Sequence, residues 1–262
     1  MEIKLILLGL NTETTDKEYS KYGIYEIEEN LELFFPSVEI RIKRKDKGNF
    51  SYLRKDTEGK ITEKIVPTPD DKKMKIEVAP IRPLNYPAHR TNFVYLKFDQ
   101  EVYLSKNAST SFLVRCPIEI GIFLVHDMHK DSMDWFTCDP SKSRFGLYGS
   151  PDTGKLCKFY KVPIVEKEED SEPYHNCVMR LNFENLLGRG YSLTKSIFPI
   201  TDHFLYYKDD KAQLDSLNVT LRKRMAVEYV ETAELRLKNI DWNKSPSWEK
   251  DTETPSVEMG LE

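Results

Sequence analysis

Apolar and polar residues alternate with a period of two along much of the chain. The longest example runs from 112 to 126, where Phe112, Val114, Cys116, Ile118, Ile120, Ile122 and Leu124 share one face. This predicts a long core strand or two strands joined by a bend. Pro117 and Gly121, on the opposite face, favour the bend, because proline removes a ladder donor and glycine marks bulges or close approaches. The same period appears in Val38/Ile40/Ile42, Met74/Ile76/Val78 and Val94/Leu96/Phe98, and more loosely in Val219, Leu221, Met225, Val227 and Tyr229. Charged residues lie between, so each strand buries one face and leaves the other in water, as in antiparallel sheets.

Turn-forming residues separate these runs: Asp46-Lys47-Gly48-Asn49, Glu58-Gly59, Pro69-Asp70-Asp71, Ser150 to Gly154, and Asp209-Asp210-Lys211. Only Glu26 to Leu33 and Phe183 to Leu187 read as single turns of helix, and both are short. The expected fold is therefore all-β, with two antiparallel β-sandwich or jelly-roll-like domains and little helix. The polar stretch from His126 to Asp134 sets the expected boundary: an N-terminal domain over 1–127 and a C-terminal one over 128–240. Residues 241–262 are acidic, lack periodicity and predict a disordered tail, in which Trp242 and Trp248 would dock on the parent fold or on a partner.

At 262 residues, with 39% hydrophobic and 31% charged residues, the chain can bury a core without staples and has a heavily charged exterior. Cys116, Cys138, Cys157 and Cys177 form no C-x-x-C pair, so buried free thiols are expected. The apolar run near Met1 to Leu10 is too short to span a bilayer and follows an acid, which predicts a first strand in a cytoplasmic protein without an integral membrane segment. A net charge of −4 argues against a general grip on nucleic acid.

Four features carry candidate chemistry. Gly149-Ser150-Pro151-Asp152-Thr153-Gly154-Lys155 has the glycine and lysine spacing of a phosphate-binding loop. However, Leu156 replaces the metal-binding hydroxyl, Pro151 removes an N–H, and the residues that follow read as a strand; a hairpin turn accounts for the stretch. His126, His129 and Asp131, with Asp127 and Asp134 nearby, could ligate a divalent metal, or they could form a solvated linker. His175 and Cys177, two apart, would share a strand face, bringing a base near a thiol. Arg41, Lys43, Arg44, Lys45, Lys47, Arg54 and Lys55, with Phe50 and Tyr52 between them, form a basic hairpin. It could hold an anionic surface or partner, or simply protect a sheet edge.

Two stretches carry a family resemblance: Cys116-Pro117-Ile118-Glu119-Ile120-Gly121, and the segment from Lys142 to Tyr160 containing Leu147-Tyr148-Gly149, Pro151, Gly154, Cys157, Lys158 and Phe159. Together they resemble an archaeal family known as domain of unknown function 432, in which a PIEIG strand is followed by a Leu-Tyr-Gly hairpin closing on cysteine, arginine and an aromatic residue. The similarity runs from about Tyr22 to Ile240, with Lys155 in place of an apolar residue and Lys158 in place of the arginine. Tyr148, Gly149, Pro151, Gly154 and Cys157 are then a family turn rather than a phosphate loop. The resemblance implies an intracellular protein of undefined activity, with a partner at the membrane suggested by genes for small mechanosensitive channels nearby, and it supplies no catalytic residues.

The leading expectation is a protein–protein interaction or regulatory binding module without a cofactor, since no motif meets the minimum for catalysis. A metal- or thiol-dependent enzyme is the first alternative, and an anionic-surface binder using the 41–55 hairpin is the second. A protein partner is expected rather than nucleic acid, and self-association is open.

Overall fold

A computed structural model describes residues 18–68, 73–126, 129–225, 227–237 and 241–248. The apolar run near the start, the turn at 69–71 and the tail beyond 248 lie outside the described residues. Along the chain the strands are β1 (Gly23–Ile27), β2 (Asn30–Phe35), β3 (Val38–Asp46), β4 (Asn49–Asp56), β5 (Ile61–Pro67), β6 (Met74–Ile81) and β7 (Phe93–Leu104). There follow β8 (Ser109–Pro117), β9 (Glu119–His126), β10 (His129–Phe136), β11 (Arg144–Tyr148), β12 (Lys155–Val162), β13 (Ile164–Val165) and β14 (Asn176–Asn185). The last are β15 (Tyr191–Pro199), β16 (Leu205–Lys208), β17 (Lys211–Leu214), β18 (Ser216–Arg224), β19 (Val227–Leu235) and β20 (Asn243–Lys244). Helical geometry among the described residues is confined to three short 3-10 turns.

The fold is all-β. The two stretches read as possible helical turns are strand: 26–33 crosses from β1 into β2, and Phe183 lies in β14. The period-two spacing of Leu31, Leu33 and Phe35 toward the core outweighs the helix preference of the glutamates between them. The pairings are mostly antiparallel, but β7 with β12, β14 with β17 and β14 with β18 are parallel. Each parallel pair is separated by other strands in sequence, as a crossover requires.

Four sheets enclose two main cores. The first core lies between β1–β6–β9–β10 and β2–β3–β4–β5 and is built from residues such as Ile27, Ile40, Phe50, Ile76, Ile122 and Phe136. The second lies between β11–β12–β7–β15 and the sheet containing β8, β14 and β18, with Val94, Leu96, Val114, Met179, Leu181 and Leu217 at its centre. The apolar run 112–126 feeds both. Val114, Cys116 and Ile118 are in the second core, Ile120 and Ile122 in the first, and the strand breaks after Pro117. The cores therefore draw on interleaved stretches of chain. β9 and β10, on either side of residues 127 and 128, pair as one hairpin within the first core.

Several contacts tie the cores together. The Tyr207 hydroxyl, from β16, donates to buried Glu77 of β6 at 2.9 Å, and Lys130 forms an ion pair with the same carboxylate. Tyr174, held at φ 66°, inserts its ring between Tyr22 and Phe35 of the first core. The start of the tail also packs on the parent fold: β20 pairs with β16, Ser245 is buried, and the Trp248 ring lies 5.7 Å from that of Phe123. Within the run expected around 219–229, only Val219 and Leu221 reach a core, because the chain reverses at Met225 into β19.

Asp134 joins the two sheets of the first core. Its Oδ2 accepts from the Tyr52 hydroxyl and from Arg54 Nε, each at 2.7 Å, and all three side chains are largely buried. Asp134→Ala would leave the Arg54 guanidinium without its counter-charge, so it should lower unfolding free energy by roughly 3–5 kcal/mol, read as a shifted urea midpoint.

Candidate binding face

The two stretches that carry the family resemblance meet at one loop. Glu119, at the start of β9, is buried on a strand that has protein on both faces. Its carboxylate accepts from the Asn85 backbone N–H at 3.0 and 3.1 Å, from Asn85 Nδ2 at 2.8 Å and from the Tyr86 N–H at 2.9 Å. Lys158, on β12, occupies the core-facing row with Tyr160 and Val162 and is fully buried. Its ammonium donates to the Tyr86 carbonyl and lies 4.4 Å from the centre of the Phe145 ring. Ser143 Oγ donates to the same carbonyl at 2.6 Å, and the Tyr160 hydroxyl donates to the Pro83 carbonyl at 2.9 Å. Glu119 thus satisfies the loop's N–H groups, while the β11–β12 region satisfies its carbonyls.

Burial sets the electrostatics of this cluster. It pushes Glu119 up to about 7, against the N–H donors and the Lys158 charge, which pull downward. It pushes Lys158 down to about 8, opposed by Glu119. The sequence shows Glu119 and Lys158 only as parts of a pattern; the available signal was a lysine in step with two apolar core positions.

The hairpin held by this cluster turns through residues 149–154. Gly149 sits at φ 108°, and a Cβ there would lie 3.0 Å from Gly154 Cα. A Cβ on Gly154 would lie 2.5 Å from the Ser150 carbonyl oxygen, which accepts the Gly154 N–H at 2.7 Å. The two family glycines are therefore required by each other's proximity. Residues 149–155 close a β-hairpin between β11 and β12, with Pro151 exposed at its tip, Tyr148 exposed at the end of β11 and Cys157 buried on β12.

On the outer face of the same sheet, aromatic and basic side chains share rows. Phe159, Tyr95 and Ile197 are register neighbours across β12, β7 and β15, and Lys161, Lys97 and Lys195 form the next such row. The Tyr95 ring meets Phe159 at 5.1 Å with an interplanar angle of 70°, and Tyr148 at 6.3 Å and 84°. Lys195 Nζ lies 5.7 Å from the Tyr95 centroid and 5.4 Å from that of Tyr148, and Lys155 Nζ lies 4.4 Å from Phe93. Lys97, Arg144, Lys155, Lys161 and Lys195 are all exposed. Among the described residues none of these five pairs with a carboxylate, so their charge is presented to solvent.

The residues singled out by sequence have other surroundings. In the 41–55 hairpin, Arg41 pairs with Glu39 and Glu32, Arg54 is committed to Asp134, and Arg44 donates to the Glu28 carbonyl and lies over Phe50. Phe50 and Tyr52 are buried in the first core, so neither belongs to a surface for stacking; both face inward in the β4 alternation. Lys43, Lys45, Lys47 and Lys55 remain exposed. His126 and His129 are register partners at the end of the β9–β10 hairpin, and Asp131 faces Leu124; Asp127 is outside the described residues. Among the described residues no three metal-ligating side chains form a group. His175 precedes β14 and directs Nδ1 at Asp139, 3.0 Å away, so it does not face Cys177. The Cys177 thiol is in the second core, donates to the Cys116 carbonyl and is pushed well above its ordinary pKa by burial, the opposite of an activated nucleophile. All four cysteines are free and buried.

Fold and site together define an all-β protein of two cores, in which a buried charged loop holds a hairpin whose outer face is basic and aromatic. The family model described as protein of unknown function (DUF432) matches residues 21–251, and the chain belongs to that family. No curated protein and no solved structure matches it. No helix among the described residues is long and apolar enough to cross a membrane.

Gly154→Ala should cost roughly 1–3 kcal/mol, measured as a lowered urea midpoint, because the obstructing atom is backbone rather than a movable side chain. Between its ordinary 4.5 and about 7, folded Glu119 retains a proton that the unfolded chain releases. Its contribution to stability is therefore complete below 4.5 and is lost as pH rises through 7. Glu119→Gln should flatten that part of a stability–pH profile, and an unchanged slope would contradict the assignment.

Proposed function

We propose that this protein is a binding module and that the outer face of β11–β12–β7–β15 is its working surface, taking an acidic segment of a protein partner. The observation that carries this reading is Lys195 set over both Tyr95 and Tyr148, with Lys155 over Phe93, on a sheet whose exposed cations have no carboxylate partner. Charge supplies attraction and orientation, and the rings beneath supply apolar contact at little entropic cost. The ring geometry favours a protein segment over single-stranded nucleic acid. The rings pack edge to face at 70° and 84°, so their faces are taken up by one another and by Lys195 rather than laid open for base stacking. The net charge of −4 also opposes long-range capture of a nucleic-acid chain.

Fluorescence anisotropy with a labelled poly-glutamate peptide and a labelled oligothymidylate tests the reading. Salt-sensitive binding of the peptide, weakened about tenfold or more in Lys155→Glu/Lys195→Glu, is expected. Peptide binding that this double variant leaves intact, or tighter binding of the oligonucleotide, would contradict it.

A further inference from the structure

The sheet edges of this protein differ in how they are protected. A long, regular, unpaired strand edge invites pairing with another chain, and proteins block it with short strands, lysine, proline, bulges or a covering segment. β1 and β11 have five residues each, and β13 and β20 two each. β10 and β15 carry bulges, β5 holds Lys64 and ends on Pro67, and β2 is covered by backbone bonding to Ser20.

β19 has none of these protections. Its register with β18 is unbroken over nine residues, and it contains no lysine, proline or glycine. Two of its three carboxylates are neutralised by arginines of the same chain, Glu228 by Arg189 at 2.7 Å and Glu231 by Arg222 at 2.9 Å, while Glu234 lies 3.7 Å from Arg236, whose nearer partner is Asp215. Val227 is 66% exposed, Val230 57%, Leu235 50% and the adjoining Met225 92%. The edge is therefore long and without a bulge, presents exposed valines and a leucine between glutamates that are mostly paired, and among the described residues β19 pairs only with β18.

We propose that β19 pairs antiparallel with β19 of a second copy, about a two-fold axis through Val230, joining β13–β8–β14–β18–β19 to its copy as one sheet. The sequence of the strand is what selects a second copy as occupant. With the axis at Val230, Met225 meets Leu235, Val227 meets Ala233 and Val230 meets itself, while Glu228 faces Thr232 and Glu231 faces Tyr229. No two carboxylates are opposed, and the exposed apolar side chains cover one another. A shift of one residue to an axis at Glu231 would set Glu228 against Glu234 and Glu231 against itself. Arg224 does face Arg236, but the Arg236 guanidinium is held by Asp215 at 2.6 Å and lies over Phe204. An isologous contact of this kind closes on itself, so it yields a dimer rather than a fibre. The inference does not rest on the face proposed above, which belongs to the opposite sheet of the second core.

Light scattering of the full-length chain across about two decades of concentration should show a mass rising to twice that of one chain. Val230→Lys, which sets two ammonium groups across the axis on an exposed position, should remain at single-chain mass throughout, with an unchanged circular dichroism spectrum. Val230→Cys should form a disulfide-linked dimer on air oxidation, since the axis sets its two Cβ atoms directly opposite at about 4.5–5.5 Å, a small shift from the ~3.5–4.5 Å of a disulfide. Glu228→Cys, opposite Thr232, should not cross-link, and the native thiols are buried. A wild-type chain of single mass at every concentration would overturn the proposal. So would a dimer that persists in folded Val230→Lys, or one in which Val230→Cys fails to cross-link while Glu228→Cys succeeds.

Discussion

The carboxylate of Glu119 is the point on which the arrangement of this protein turns. It lies where the chain passes from the second core to the first, one residue after the break that follows Pro117. A buried carboxylate is costly unless its oxygens are satisfied, and here three N–H groups of Asn85 and Tyr86 satisfy them. The same loop offers its Tyr86 carbonyl to Lys158 and Ser143. One short loop therefore carries the charge balance between the strand that links the cores and the hairpin that forms the edge of the second.

This dependence gives a physical reading of a family pattern that has no known activity attached to it. The glutamate of the strand motif and the basic residue of the hairpin motif are partners of one loop, and the two glycines between them are partners of each other. The basic residue here is a lysine, whose compact ammonium needs few acceptors in a closed site. Glu119, Lys158 and the two glycines build the support, and the surface they hold is formed by side chains on the opposite face of the same strands, with Tyr148 and Phe159 of the motif among them.

The all-β fold, the hairpin in place of a phosphate loop and the buried thiols were all legible in the sequence, because each follows from local rules of alternation, turn residues and cysteine spacing. The interleaving of the cores was not. Alternation tells which face of a strand is buried, and it does not tell against which sheet. Ile118 and Ile120 look equivalent in the sequence yet pack in different cores. The 41–55 hairpin looked like the best surface because its cations are consecutive, whereas the cations of the β11–β12–β7–β15 face come from three separated segments and are gathered only by strand pairing. Tyr52 and Phe50 appeared available for stacking because sequence does not show that both turn into the first core, Tyr52 to reach Asp134.

The central claim is that Glu119 and Lys158 act as one unit through the Tyr86 loop. A double-mutant cycle measures it directly, with Glu119→Gln, Lys158→Met and the double variant unfolded in urea under identical conditions. Strong non-additivity, a coupling of about 0.5–3 kcal/mol with the double variant losing less than the sum of the singles, is predicted. Losses that simply add would show two independent buried charges and contradict the account.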